Sequence, residues 1–404
     1  MMMKSLLIKL IGIATIIVTT KCDSSPELIE IEPIDHPYKF SQEILTNLET
    51  SSEPWKYQVA AWDYSYIGKY EEMLNIWDTE HDNRSTVNQE VVDSFRQKYE
   101  RKNAKDYIVS QADSFQIIII NEAHHQPLHR VFTTELLKEL YGKGYRYLGL
   151  ETLQESDTEI NKRKYPIYSS GTYSIEPQFG NLIRSALDIG YYLFAYESEG
   201  NGREREIGQA RNIESQIKND STTKYLIHCG FDHAVEGEYK SWGKAMAGRL
   251  QEFTGINPLT INQTEFTERS VDSLENPLFQ NLSLIETSVF IDRMGNSFKL
   301  EENPEWFDIM IFHPKTKMVH NRPDWILRND KMKVNIDVKE IEIGKPFLAM
   351  AFKENEDYRK SVPVDIVEVE DNLEPITFAL EKGYYHIVFQ NQNHEARLKL
   401  VNVK

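Results

Sequence analysis

The chain has 404 residues, 40% hydrophobic and 11% aromatic, with a formal net charge of −17. That composition is globular, with length for one large domain and smaller ones beside it. The acidic balance excludes a sequence-independent grip on nucleic acid or on anionic lipid headgroups, both of which need surplus Lys and Arg.

Residues 1–22 read as an address. Lys4 and Lys9 accompany "LLIKLIGIATIIV", an apolar stretch interrupted by charge and too short to span a bilayer comfortably, and "TTKCDSSPE" follows. A cysteine directly after such a segment predicts a bacterial lipoprotein with Cys22 lipidated. The protein is then exported to the cell envelope, at the outer membrane or surface, and held to the membrane by its lipid. Lys21 departs from the small residue that normally precedes such a cysteine. Cys229 is the second of two cysteines, so no disulfide framework supports the fold and core burial must.

Residues 23–110 divide into a polar spacer and a helical cap. "QVAAWDYSYIGKYEEMLNIWD" has apolar and aromatic residues at helical spacing, with Gly68 at the turn of a predicted hairpin. "STVNQEVVDSFRQKYERKNAKDYIVSQA" predicts one charged helix leading into the core. From residue 111 to 330 strands and helices alternate. "FQIIII" is a strand, and "PLHRVFTTELLKELYGKG" a helix with Pro127 near its start and Gly142 near its end. The strands "YRYLGL", "YYLFAY", "TKYLIHC" and "PLTI" follow, separated by the helices "QFGNLIRSALDIG", "REREIGQARNIESQIKND" and "SWGKAMAGRLQEFTG"; "FDIMIF" is a late strand. Such alternation means βαβ units, hence an α/β class with a mostly parallel sheet and flanking helices. Residues 331–404 alternate at period two between turn signals and predict a small β-sandwich acting as a docking or spacer module.

Parallel α/β sheets bind ligands outside the carboxyl ends of their strands. Glu122, His124 and His125 follow the first strand and Glu151 the second. Glu197 with Arg205 and Glu206 follows the third, His228, Asp232 and His233 mark the fourth, and His313 follows "FDIMIF". Several strands thus deliver ionisable groups to one edge, which predicts a site. Two chemistries fit, both hydrolytic. A divalent metal held by imidazoles and carboxylates lowers the pKa of a bound water. Alternatively a His–Glu pair activates water without metal, while arginine stabilises developing charge. The chain has no G-x-S-x-G, H-E-x-x-H, Walker A or G-x-G-x-x-G pattern. Among the other candidates, His129 is expected to be solvated early in its helix, and His228 and Cys229 to be packed in the core.

"NEAHHQPLH", "YLGLE", "REREIGQARNI" and "CGFDH" resemble, in this order, the superfamily joining erythromycin esterases, Tiki- and TraB-type proteins and ChaN-like haem-binding lipoproteins. The ChaN-like pattern falls on Glu122, His124, Pro127 and His129, and the esterase pattern on Glu122 and His125. The second-strand glutamate of the superfamily falls on Glu151, the esterase helix pattern on Arg205, Glu206, Ala210 and Asn212, and the late G-x-x-H on Gly230 and His233. Asn121 stands where the superfamily has glycine, and Gln209 where the esterases have methionine. The resemblance implies a modified or incomplete barrel and leaves the activity open, since its members include esterases, metal-dependent proteases and haem binders.

The expectation is therefore an exported hydrolase for a small-molecule or peptide substrate. His124 or His125 activates water with Glu122, or His124, Glu151 and His233 hold a divalent metal, and Arg205 binds an anion or stabilises charge. The alternatives are a haem- or iron-binding lipoprotein without activity, and a scaffold whose site no longer works.

Overall fold

The computed structural model describes residues 28–370 and 375–404. The signal segment and Cys22 lie outside the described residues. After a short strand, β1 (Leu28–Glu30), come three cap helices, α1 (Ser41–Thr50), α2 (Lys56–Tyr66) and α3 (Tyr70–Trp77). Gly68 turns the chain between α2 and α3 at φ +74°, in the left-handed region that favours glycine.

The expected charged helix is broken in two, α4 (Gln89–Lys98) and α5 (Ala104–Gln111), with a strand between them, β2 (Tyr99–Asn103). The Asn103 side chain accepts from the Asp106 amide at 3.1 Å and so starts α5 afresh. The charges of "YERKN" suit an edge strand, where they discourage pairing with another chain.

The core units follow: β3 (Ile117–Glu122), α6 (Pro127–Gly142), β4 (Tyr145–Leu150), α7 (Pro177–Ile189), β5 (Tyr192–Ala195), α8 (Arg203–Asn219), β6 (Lys224–Gly230), α9 (Met246–Thr254) and β7 (Leu259–Phe266). Two further strands, β8 (Ser288–Asp292) and β9 (Ile309–Phe312), complete an eight-stranded sheet in the order β2-β8-β9-β7-β3-β6-β4-β5. All pairings from β9 to β5 are parallel, and β8 runs antiparallel to both its neighbours. The sheet is open, with β2 and β5 at its edges. Four consecutive isoleucines make β3 a central strand, buried at every position, because β-branched side chains pack well on a sheet covered on both faces.

The C-terminal part is antiparallel: β11 (Phe347–Lys353), β12 (Asp365–Val369), β14 (Gly383–Asn391) and β15 (Ala396–Val403) form a five-stranded sheet with β1, while β10 (Met332–Ile336) pairs with β13 (Ile376–Leu380). Phe347, Phe378, Ile387 and Phe389 fill a core of its own. The other face of the five-stranded sheet shares a core with the cap and with α6, where Leu348, Met350 and Val388 pack with Tyr64, Met73, Leu128 and Val131. That face of the sheet is therefore covered by the rest of the molecule. This unit is built into the molecule.

Candidate functional site

Glu122 is the last residue of β3 and 1% exposed. Arg130, from the start of α6, grips it with two parallel bonds, Nε to Oε2 and Nη2 to Oε1, both 2.7 Å. The same guanidinium donates to the His124 carbonyl at 2.8 Å and to Glu176 at 3.0 Å. Burial alone would push the Glu122 carboxyl up, but Arg130 outweighs it and holds the group well below the usual carboxylate range. An ionised carboxylate only accepts. The 2.9 Å contact between Glu122 Oε1 and His124 Nδ1 therefore places a hydrogen on Nδ1. In the neutral ring Nε2 is then the basic nitrogen, and among the described residues the ring's hydrogen bond is made through Nδ1.

Beside it lies a second network. Glu151, one residue past β4, accepts from Arg205 Nη2 at 2.7 Å and from the Gly230 amide. Arg205, in the first turn of α8, also clasps Glu197 through Nε at 2.9 Å and Nη2 at 2.6 Å, and its Nη1 lies 2.9 Å from His233 Nε2. A guanidinium only donates, so that nitrogen of His233 accepts and Nδ1–H donates to Glu206, 2.7 Å away. Glu206 also accepts from the Met246 amide at 2.7 Å, at the start of α9. Burial raises the Glu151 pKa, but His233, His124, Arg205 and the Gly230 N–H outweigh it and hold the carboxyl at about 2. For His233, burial lowers the pKa and Glu151 and Glu206 more than offset it, so it stands above its ordinary value.

The two networks meet at the His124 ring. A Cβ on Gly230 would lie 2.3 Å from both His124 Cε1 and Nε2 and 3.2 Å from Glu151 Oε2, so only glycine fits there. Tyr173 stacks on the imidazole with ring centroids 3.8 Å apart, Phe231 meets it edge-on at 5.2 Å and Trp62 at 6.4 Å. Phe231 holds φ +38°, strained backbone of a kind that collects at functional sites.

The structure thus brings Glu122, His124, Glu151, Arg205 and His233 together, but not as a metal centre. Among the described residues no group of three or more His, Cys, Asp or Glu is arranged to hold a metal ion. Of the expected ligands, His233 has its free ring nitrogen taken by Arg205, and each Glu151 oxygen already accepts a hydrogen bond, from Arg205 or from the Gly230 amide. Arg205 is correspondingly committed to carboxylates rather than free for a substrate anion. His125 stands apart from both networks: it is buried and stacked on Trp77 at 3.7 Å, and neither ring nitrogen has a hydrogen-bond partner among the described residues. His129 is fully buried rather than solvated, its Nδ1 accepting from the Ala123 amide at 3.0 Å. His228 lies inside the fold, 3.5 Å from Glu122, and burial lowers its pKa to about 4, so it is neutral. The Cys229 thiol is pushed up by burial and nearby carboxylates and is no nucleophile. His313 is buried against Gln263, 3.1 Å away. Arg130, Glu176 and Tyr173 escaped the sequence reading. A charged residue among the apolar positions of "PLHRVF" was the one available signal, since Arg130 has to be paired if that turn is buried.

No protein-family model matches the chain, and no curated protein matches it. Among solved structures, the type III effector HopBA1 is 13% identical, over 43% of this chain and 89% of that one, with TM-score 0.32. RRSP, a MARTX toxin effector domain from Vibrio vulnificus, is 14% identical, over 52% of this chain and 42% of that one, with TM-score 0.29. ChaN of Campylobacter jejuni, described with cofacial haem binding, is 10% identical, over 43% of this chain and 93% of that one, with TM-score 0.26. These are distant likenesses, and they carry no argument about activity, substrate or cofactor.

Proposed function

We propose that the protein is a hydrolase in which His124 activates water without a resident metal. The observation that carries this is the Glu122–His124 contact at 2.9 Å, with Glu122 locked by Arg130 and Nε2 left as the basic ring nitrogen. The carboxylate fixes the tautomer and stabilises the imidazolium, a division of labour common to His-based acyl transfer. The substrate is a small molecule or peptide with a carbonyl to attack, and nucleic acid is not a partner. The reading includes export and tethering of the protein to the bacterial envelope through a lipid on Cys22.

Haem suits the donors less well. An axial ligand needs an apolar slot beside it, whereas the His124 ring is stacked by Tyr173 and stands next to Glu151 and Gly230. A haem titration giving a tight Soret shift that is lost in His124→Ala would favour this rival. For the hydrolase, turnover of p-nitrophenyl butyrate and of fluorescent casein is to be measured in wild type and in His124→Ala. The expected loss in kcat is about 10²–10⁴-fold, the range for removal of a positioned base. Turnover of neither probe, or turnover indifferent to His124→Ala, sinks the proposal. The anchor is tested separately: radiolabelled fatty acid should be incorporated in a bacterial host and not by Cys22→Ser, and equal labelling of the two rejects it.

A further inference from the structure

We infer that Tyr173 is a catalytic hydrogen-bond donor whose hydroxyl meets the oxyanion formed when water activated at His124 attacks a carbonyl. This rests on the hydrolase reading and assigns a group to the negative charge that such chemistry creates. Arg205 is the poorer candidate, since Glu151, Glu197 and His233 take four of its five N–H donors and two carboxylates neutralise its charge, and the Gly230 amide is taken by Glu151.

Three observations single Tyr173 out. Its ring lies nearly parallel to the His124 imidazole, at 14° and 3.8 Å between centroids, so the aromatic ring is held face to face with the ring that carries the basic nitrogen. Its hydroxyl hydrogen-bonds to no described residue, whereas Tyr145, Tyr191 and Tyr196 each donate to a backbone carbonyl at 2.8 Å. Its loop is held rigidly: the Tyr173 amide donates to Thr152 Oγ1 at 2.7 Å, and Ser174 Oγ donates to the Gly171 carbonyl at 2.9 Å. Gly171 bridges to Leu153, and a Cβ on it would lie 2.2 Å from the Thr152 carbonyl oxygen. Three residues on, Glu176 starts α7 and accepts from Arg130 at 3.0 Å, tying the loop to the Glu122 network. A donor fixed before the reaction costs no reorganisation during it. Burial and the Glu151 and Glu122 carboxylates push the phenol pKa up, so the hydroxyl keeps its proton and acts as a neutral donor.

The step balances within the site. A water oxygen bonds to the carbonyl carbon while its proton passes to His124 Nε2. The C=O π pair moves onto oxygen, which accepts from the Tyr173 O–H. Collapse re-forms C=O and breaks the bond to the leaving oxygen or nitrogen, which takes the proton back from the imidazolium. Ester or amide plus water gives acid plus alcohol or amine, with no other reactant.

Tyr173→Phe tests this because it keeps the stacked ring and removes only the hydroxyl. Assayed on p-nitrophenyl butyrate and fluorescent casein beside wild type and His124→Ala, it should lose about 10²-fold or more in kcat, the scale for one oxyanion donor. KM should stay within about twofold and the Tm unchanged, since the uncharged substrate ground state needs the donor little. If Tyr173→Phe keeps wild-type kcat while His124→Ala is inactive, this inference fails and the hydrolase reading survives. A fall in Tm or a rise in KM accompanying the loss would make Tyr173 a positioning residue and overturn its role as donor. Wild type inert on both probes removes the hydrolase reading and this inference with it.

Discussion

Replacing one hydrogen of Gly230 by a methyl group places a carbon 2.3 Å from two atoms of the His124 ring, far inside van der Waals contact. Gly230 has an ordinary φ of −84°, so alanine is not strained there by its backbone and the conflict is purely one of space. Either the ring swings out of its contact with Glu122, or the β6 end moves away from Glu151. Misplacement of a reacting group by about 1 Å costs about 10²-fold in rate. Gly230→Ala should therefore lower kcat on p-nitrophenyl butyrate by about that factor while far-UV circular dichroism stays native; a fully active variant would show that His124 is not held where the rate depends on it. At this scale the sequence carried half of the site. Glu122, His124, Glu151, Arg205 and His233 stand at strand ends or helix starts, where chain position alone aims them at one edge. Their partners do not: Arg130 and Glu176 are 46 residues apart and meet only through the packing of α6 on α7. Tyr173 sits in a stretch with no periodicity, so nothing local marked it.

The elements explain why five glutamates and two arginines tolerate such close quarters. Parallel strands end together, so β3, β4, β5 and β6 bring Glu122, Glu151, Glu197 and the Gly230–His233 turn to one edge without any loop having to search for it. Helices α6 and α8 start at that edge and supply Arg130 and Arg205 from their early turns. Each carboxylate thereby meets a guanidinium or an imidazole instead of another carboxylate, which keeps buried charge bearable. The same logic shows which elements were legible. Strands β3, β4 and β6 and helices α6 and α7 announce themselves by β-branched runs, helical periodicity and their Pro and Gly boundaries. Strand β2 does not, because "YERKN" is an edge whose partner, "SVFID" of β8, lies far along the chain and pairs with it from Ser288–Asn103 to Asp292–Tyr99. With no apolar alternation in β2, its helical neighbours on either side dominate a local reading.

For the molecule as a whole, the decisive feature is that the C-terminal sheet shares a core with the cap helices and α6. Its inner face closes on Phe347 and Phe389, yet its outer face is the floor under the cap helices and the start of α6, the helix that presents Arg130 to Glu122. A buried ion pair also spans the junction between the C-terminal unit and the rest of the molecule. Arg184 of α7 donates to Glu356, just past β11, through Nε at 2.7 Å and Nη2 at 2.6 Å, and both side chains are 3% exposed. Removing one partner strands the other charge in a place water does not reach, which typically costs about 3–5 kcal/mol, whereas replacing both by apolar residues is often neutral or better. Glu356→Ala should therefore lower the unfolding free energy by about 3–5 kcal/mol, and Arg184→Met/Glu356→Leu should recover most of that loss. In urea, the tryptophan fluorescence, to which Trp62 and Trp77 of the cap contribute, and the far-UV signal of the whole chain should move together to a lower midpoint, because the cap, α6 and the C-terminal sheet share one core. Two separate transitions, with only the later one unshifted by Glu356→Ala, would mean that the sheet is an independent appendage. The edge that carries the candidate site would then owe nothing to it.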